Sequence, residues 1–268
     1  MKKKIKSCFA FCFYVFVFFV IFSCKTTDIK GDFYSEEELS FVTKIVDKQK
    51  NYFLAEINLS NPNLNIKTYP KQKDYFSAMS VKKFAKENDC FMAINANPFK
   101  VKSKLNPMFS KRRAIGLYID DYVQYSSADE HYSFIAFFKE ENGFSAKIYD
   151  SQKDFLRMKE EESKNIFAAF GGFWTILRDE KIYNFKDIKD FRSAVGLSKD
   201  GKTLYVFCGK KLSYMQTAQI LKKNGVYCAM QLDGGSPSEL YYLKKTWQAL
   251  KIKQMPAVIL GFSYIENF

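Results

Sequence analysis

The sequence predicts an α+β fold: a single domain with a mixed, mostly antiparallel β-sheet flanked by a few helices. Short runs rich in Val, Ile, Tyr and Phe recur with turn-forming residues between them, so hairpins dominate the pattern. Roughly ten or more such runs stand against about four helical segments, and one or two of those helices read as crossovers. No internal repeat, low-complexity tract or interior linker divides the 268 residues. The 28 Phe and 17 Tyr mainly supply strands and core.

Taken in order, Lys2, Lys3, Lys4 and Lys6 precede an uncharged run, Phe9 to Phe22, that ends at Ile21-Phe22-Ser23-Cys24. A basic start, an apolar run too short to span a bilayer and a small-residue-Cys end predict a signal peptide over 1–23 with lipidation at Cys24. Residues 24–40 would then be a lipidated Cys and polar tether, and 41–268 the folded domain. The expected location is the cell envelope, as an exported, membrane-anchored lipoprotein. Loss of 1–23 removes four Lys and no acid, reducing the net charge from +13 to +9. No nucleic-acid motif accompanies this spread-out surplus, so a solvated, basic exported protein is expected rather than a nucleic-acid binder. Attraction to anionic lipid or to a phosphate-containing glycan fits the charge equally well, and charge alone does not choose between them.

Phe41, Val42, Ile45 and Val46 have helical spacing and predict a short amphipathic helix to about Lys50. Tyr52–Leu59 and Leu64–Tyr69 alternate around Ser60-Asn61-Pro62-Asn63 and predict a hairpin. Ser80 caps a helix over Val81–Glu87, and the apolar strand Cys90–Ile94 ends at Asn95. Lys100–Arg113 reads as a basic, irregular loop, solvated or able to hold an anion beside Asn95. Ile115–Ile119 and Tyr122–Ser126 predict a hairpin turning at Asp120-Asp121, and Ser133–Phe138 and Phe144–Tyr149 another turning at Glu141-Asn142-Gly143. A charged helix over about Lys153–Ser163 precedes the strand Ile166–Phe170.

The stretch from Phe191 to Tyr242 carries the most chemistry. Ser193–Ser198 and Thr203–Cys208 form a hairpin across Lys199-Asp200-Gly201-Lys202. Ser213, with Gln216 three residues on, supplies a capping box for a helix that Gly225 ends. The buried strand Val226–Leu232 then delivers Asp233 into Gly234-Gly235-Ser236, where the glycines let the backbone bend close to a ligand and expose N–H groups. Two strand ends with polar side chains, Asn95 and Asp233, beside small-residue turns form the arrangement in which open sheets bind ligands.

Arg192-Ser193-Ala194-Val195-Gly196-Leu197, the Lys-Asp-Gly-Lys turn, the Ser213-capped helix and Gln231-Leu232-Asp233-Gly234-Gly235-Ser236 together resemble the phosphodiester glycosidase family. Ala93-Ile94-Asn95-Ala96-Asn97-Pro98-Phe99 and Phe170-Gly171-Gly172-Phe173 with Leu177-Arg178-Asp179 match two upstream elements of it. The resemblance extends over residues 52–264. Three positions depart from the family pattern. Cys208-Gly209 stands where the family has Asp-Gly, Gly234-Gly235-Ser236-Pro237 where it has Gly-Gly-Gly-Ser, and Asn97-Pro98 where it has a Gly-aromatic pair.

The resemblance implies a hydrolase acting on a sugar joined to a phosphodiester, with no cofactor; a divalent metal is left open. Breaking the anomeric C–O bond of such a substrate calls for holding the phosphate charge and stabilising an oxocarbenium ion. The expected catalytic residues are Asp233, as nucleophile, as base toward water or as electrostatic partner to the cation, and Arg192, whose planar fork matches phosphate. The expected substrate contacts are Asn95, Gly171, Gly172, Gly234, Gly235 and Ser236; no metal ligands are assigned. For Gly171 and Gly172 close backbone packing is the stronger expectation. Glu239 is left outside the catalytic set. The rival reading is a catalytically degenerate surface lipoprotein that binds glycans or host ligands. Cys90, Cys208 and Cys228 are expected as buried thiols. His131, the single histidine, is too few for a histidine metal cluster.

Overall fold

A computed structural model describes residues 42–46, 51–107, 110–248 and 254–264. The leader, Cys24 and the tether lie outside the described residues, as do residues 41 and 47–50. Among the described residues no helix is long and apolar enough to cross a membrane.

The described chain lays down β1 (Val42–Val46), β2 (Tyr52–Asn58) and β3 (Leu64–Tyr69), then α1 (Val81–Glu87) and β4 (Cys90–Asn95). A small ribbon, β5 (Phe99–Val101) and β6 (Arg112–Ala114), precedes β7 (Tyr118–Asp120), β8 (Val123–Ser126), β9 (Phe134–Lys139) and β10 (Phe144–Tyr149). Next come α2 (Lys153–Arg157), α3 (Glu160–Lys164), β11 (Ile166–Gly171), β12 (Thr175–Arg178) and β13 (Lys181–Ile182). The last part holds β14 (Asp190–Leu197), β15 (Thr203–Leu212), α4 (Tyr214–Lys223), β16 (Cys228–Gln231), β17 (Glu239–Tyr242), β18 (Lys245–Gln248) and β19 (Ile259–Tyr264).

Instead of one mixed sheet, the described residues form three larger sheets and a ribbon, and every strand pairing among them is antiparallel. The seven-stranded sheet runs β1-β2-β15-β14-β16-β12-β13, and the five-stranded ones run β10-β9-β11-β7-β8 and β18-β17-β4-β19-β3. With four short helices against nineteen strands among the described residues, the described part is predominantly antiparallel β. Phe53 and Val206 of the first sheet, Phe137 and Phe170 of the second, and Met92 and Leu260 of the third share one buried cluster. That cluster takes one face of each sheet. The other face of β4 packs Cys90 and Ala93 on Phe84 and Ala85 of α1, and that of β11 packs Ile166 and Ala169 with Leu117, Phe134 and Phe155, which explains why β4 and β11 are buried at every position and do not alternate.

Two local expectations are corrected. The segment expected as a helix from Phe41 contains strand β1, which pairs with β2 from Val42↔Ile57 to Val46↔Leu54. Its β-branched residues suit a strand, and an available sheet edge outweighs a weak helical period. The Tyr52–Leu59 and Leu64–Tyr69 runs are strands but not a hairpin: β2 pairs with β15, and β3 with β19. The Leu59 carbonyl accepts from Phe144 N–H, and the Leu59 N–H donates to the Lys202 carbonyl. The intervening turn is thus a corner between sheets.

Other elements follow local chemistry. Ser80 Oγ accepts from Lys83 N–H at the start of α1. Ser213 and Gln216 form the reciprocal capping box of α4. The β7–β8 turn falls one residue later than expected, at Asp121 and Tyr122, both with positive φ. Asp120 is instead buried in β7 and paired with Lys71 at 3.1 Å. The charged helix after Lys153 is broken in two at Met158, whose backbone is extended.

Candidate active site

The three sheets meet where β4 and β16 end. Asp233 N–H donates to the Ala96 carbonyl at 2.9 Å, and Leu232 N–H to the Ser193 carbonyl at 2.8 Å. Asn95, at the last position of β4, is fully buried and joins all the neighbouring pieces. Its Nδ2 donates to the Asp233 main-chain carbonyl at 2.7 Å. Its Oδ1 accepts from Ser193 Oγ at 2.7 Å and from Glu239 N–H at 3.0 Å. Asn95 therefore holds the Asp233 turn in place and commits its side-chain amide to protein partners, rather than to the substrate contact expected from the sequence.

Asp233 lines a pocket of about 450 Å³ with Phe99, Ile115, Tyr132, Phe173, Gly234 and Ser236. Among the described residues it is the one carboxyl in that lining. Only 8% of the residue is exposed, and its Oδ2 has no hydrogen-bond partner. Burial therefore pushes its carboxyl well above the ordinary 3.8, opposed by the adjacent Gly234 N–H. An acid kept neutral in a small, half-apolar cavity can donate a proton and then become the negative charge beside a developing cation.

Arg192 reaches the same turn from behind. Its Nε donates to the Leu212 carbonyl at 2.9 Å and its Nη2 to the Ile188 carbonyl at 2.5 Å. The guanidinium lies 4.0 Å from the centre of the Tyr214 ring. A methyl at Gly234 would sit 3.8 Å from Nη1, so one edge of the fork approaches the loop. Arg192 is not in the pocket lining. It ties the segments bearing Ile188 and Leu212 together behind the Asp233 turn.

Gly234 and Ser236 line the pocket. Gly235 has a φ of +70° and spends its N–H on the Phe191 carbonyl at 2.8 Å, which removes that donor from the expected anion-binding loop. Ser236 Oγ accepts from Gln254 N–H at 2.8 Å and so fixes the segment on the far wall. Gly171 and Gly172 are packing residues. A methyl at Gly171 would lie 2.8 Å from Gln152 Nε2, and one at Gly172 would lie 2.4 Å from the Gln231 carbonyl oxygen. What these glycines do position is Phe173, which lines the pocket and meets Tyr132 edge-to-face at 5.4 Å. Phe173 and Tyr132 escaped the sequence reading because nothing separates them from other aromatics except adjacency to Gly171-Gly172 and His131.

Glu239 is fully buried, and its carboxylate accepts from Val81 N–H at 2.9 Å and Lys82 N–H at 3.3 Å. It holds the first turn of α1. Cys208, where the family has Asp, pairs with Ser193 across β14 and β15, and burial pushes its thiol up to about 12. Among the described residues no three His, Cys, Asp or Glu side chains gather as a metal site.

The phosphodiester glycosidase family model matches residues 88–259, which include β4, the Asp233 loop and every residue of the Asn95 network. The chain belongs to the phosphodiester glycosidase family. Its fold is similar to that of solved structures of low identity. The catalytic domain of zebrafish N-acetylglucosamine-1-phosphodiester alpha-N-acetylglucosaminidase, auto-inhibited by its pro-peptide, superposes with a TM-score of 0.62 at 18% identity, over 85% of this chain and 82% of that one. A protein from Synechocystis gives 0.59 at 11% identity, over 83% and 61%. A protein from Burkholderia pseudomallei K96243 gives 0.64 at 8% identity, over 79% and 73%. These likenesses establish the fold alone. No curated protein matches the chain.

Proposed function

We propose that this phosphodiester glycosidase hydrolyses the bond between an anomeric carbon and a phosphodiester, acting outside the cytoplasm as a lipoprotein anchored through Cys24. The observation that carries the reading is Asp233: a desolvated carboxyl with an unpartnered oxygen, the one carboxyl among the described residues that line a pocket of about 450 Å³. A neutral Asp233 approaches an anionic phosphodiester without charge repulsion. As the C1–O bond breaks, the carboxyl proton passes to the departing phosphate oxygen, and the carboxylate formed faces the oxocarbenium ion. Water then adds its oxygen to C1 and returns a proton to the carboxylate, giving free sugar and a phosphomonoester. Tyr132 and Phe173 offer faces for the sugar ring, and Asn95 fixes the turn from which the carboxyl projects.

Sugar release from sugar-1-phosphodiesters by the parent protein and by Asp233→Asn tests the proposal. Cys208 in place of an acid, and an Arg192 engaged by carbonyls, favour the rival reading of a glycan-binding lipoprotein. Saturable glycan binding without release would establish that rival.

A further inference from the structure

Ile115 lines two cavities at once. One is the Asp233 pocket; the other is a cleft of about 780 Å³ whose walls include Lys73, Lys100, Arg113, Tyr125 and His131. The cavities adjoin twice more. Phe99 lines the pocket and its neighbour Lys100 the cleft, while Tyr132 lines the pocket and its neighbour His131 the cleft.

Lys100 and Arg113 are exposed and stand directly opposite each other in the β5–β6 ladder. Like charges in that position oppose pairing of a ribbon only three residues long. Among the described residues neither forms an ion pair; Arg113 lies over the Tyr75 ring at 5.6 Å. The cleft also contains Asp74, Asp129 and Glu130. Glu130 is paired with Lys153 at 3.3 Å, and Asp129 Oδ1 accepts from His131 N–H, closing a turn. Asp74 and Asp129 leave negative charge within the cleft, but among the described residues neither stands within ion-pair distance of Lys100 or Arg113. The two facing cations at the junction with the Asp233 pocket thus have no direct acidic partner among those residues.

We propose that this cleft is the leaving-group subsite, and that Lys100 and Arg113 hold a second phosphate carried by that group. This inference rests on the sugar-1-phosphodiester reading. Since the scissile phosphate departs with the acceptor, the acceptor must extend away from Asp233, and the path over Ile115 leads between two cations. The substrate class is a sugar linked through phosphodiester to an acceptor bearing at least one more phosphate, such as a repeating phosphodiester chain.

Binding of a glycerol phosphate trimer to the full-length protein at low salt tests the subsite without turnover. The trimer binds, K100E/R113E weakens it about tenfold, added salt weakens it further, and Asp233→Asn leaves it within about twofold. In turnover, K100E/R113E raises KM about tenfold for a phosphorylated acceptor and leaves KM for a neutral alkyl acceptor unchanged. Absent trimer binding, binding that K100E/R113E leaves intact, or an equal KM rise on both acceptors overturns the proposal. Should no sugar-1-phosphodiester be cleaved, the hydrolase reading fails and the trimer pattern alone decides whether the cleft binds phosphate chains.

Discussion

The side-chain amide of Asn95 donates a 2.7 Å hydrogen bond to the main-chain carbonyl of Asp233, joining the ends of two strands from different sheets. Its carbonyl oxygen simultaneously accepts from Ser193 and Glu239. Asn95→Ala would leave buried donors and an acceptor without partners, each costing about 1–3 kcal/mol. Urea unfolding should show a loss of about 3 kcal/mol or more, with kcat falling because the Asp233 turn is released.

Asp233 gives a pH signature in stability. Its folded-state proton affinity is raised by burial above the ordinary 3.8, so the folded protein retains a proton that the unfolded chain gives up. The associated stability is fully present below about 3.8 and is lost as pH rises through the elevated folded value. Asp233→Asn, neutral at every pH, should therefore become progressively more stable relative to the parent as pH rises. Denaturation of both proteins across the pH range measures this; a constant difference would show that the carboxyl is not desolvated.

Glu239→Gln weakens the negative charge at the first turn of α1. A stability loss of about 1 kcal/mol is expected, with KM for substrate unchanged because the residue is absent from the pocket lining. Unfolding and steady-state kinetics on the same preparation read both quantities.

Arg192→Lys keeps the charge but cannot reach both the Leu212 and Ile188 carbonyls while stacking on Tyr214. A destabilisation of about 1–3 kcal/mol is expected, measurable by urea unfolding. Retention of full stability would show that the guanidinium is not a structural tie.

Cys90, Cys208 and Cys228 are buried, and burial pushes their thiols up to about 12, 12 and 11. Peptide mass spectrometry after alkylation of the native protein at pH 8 should find all three unmodified, and all three modified after denaturation.

Much of the local architecture was legible because it depends on near neighbours. The Ser213–Gln216 capping box and the Lys199–Lys202 turn are each specified within a few residues. The partition into three sheets was not, because β2 and β3 carry acceptable hairpin patterning and choose instead partners some 150 to 200 residues away, β15 and β19. In the site, the placement of Asp233 at a strand end followed from the buried run leading into two glycines. The division of labour did not follow. Asn95, Arg192 and Asp233 do gather around one turn, yet only Asp233 faces the cavity. Asn95 and Arg192 are turned to main-chain partners that only the folded chain brings within reach.

The most direct measurement is the pH dependence of sugar release from a sugar-1-phosphodiester by the parent and Asp233→Asn. The parent should release sugar with a rate that falls as pH rises through the elevated Asp233 value, and Asp233→Asn should be slower by about 10²-fold or more with that limb absent. Equal release by the two proteins, or none by the parent, would contradict the assignment of Asp233 as the proton donor.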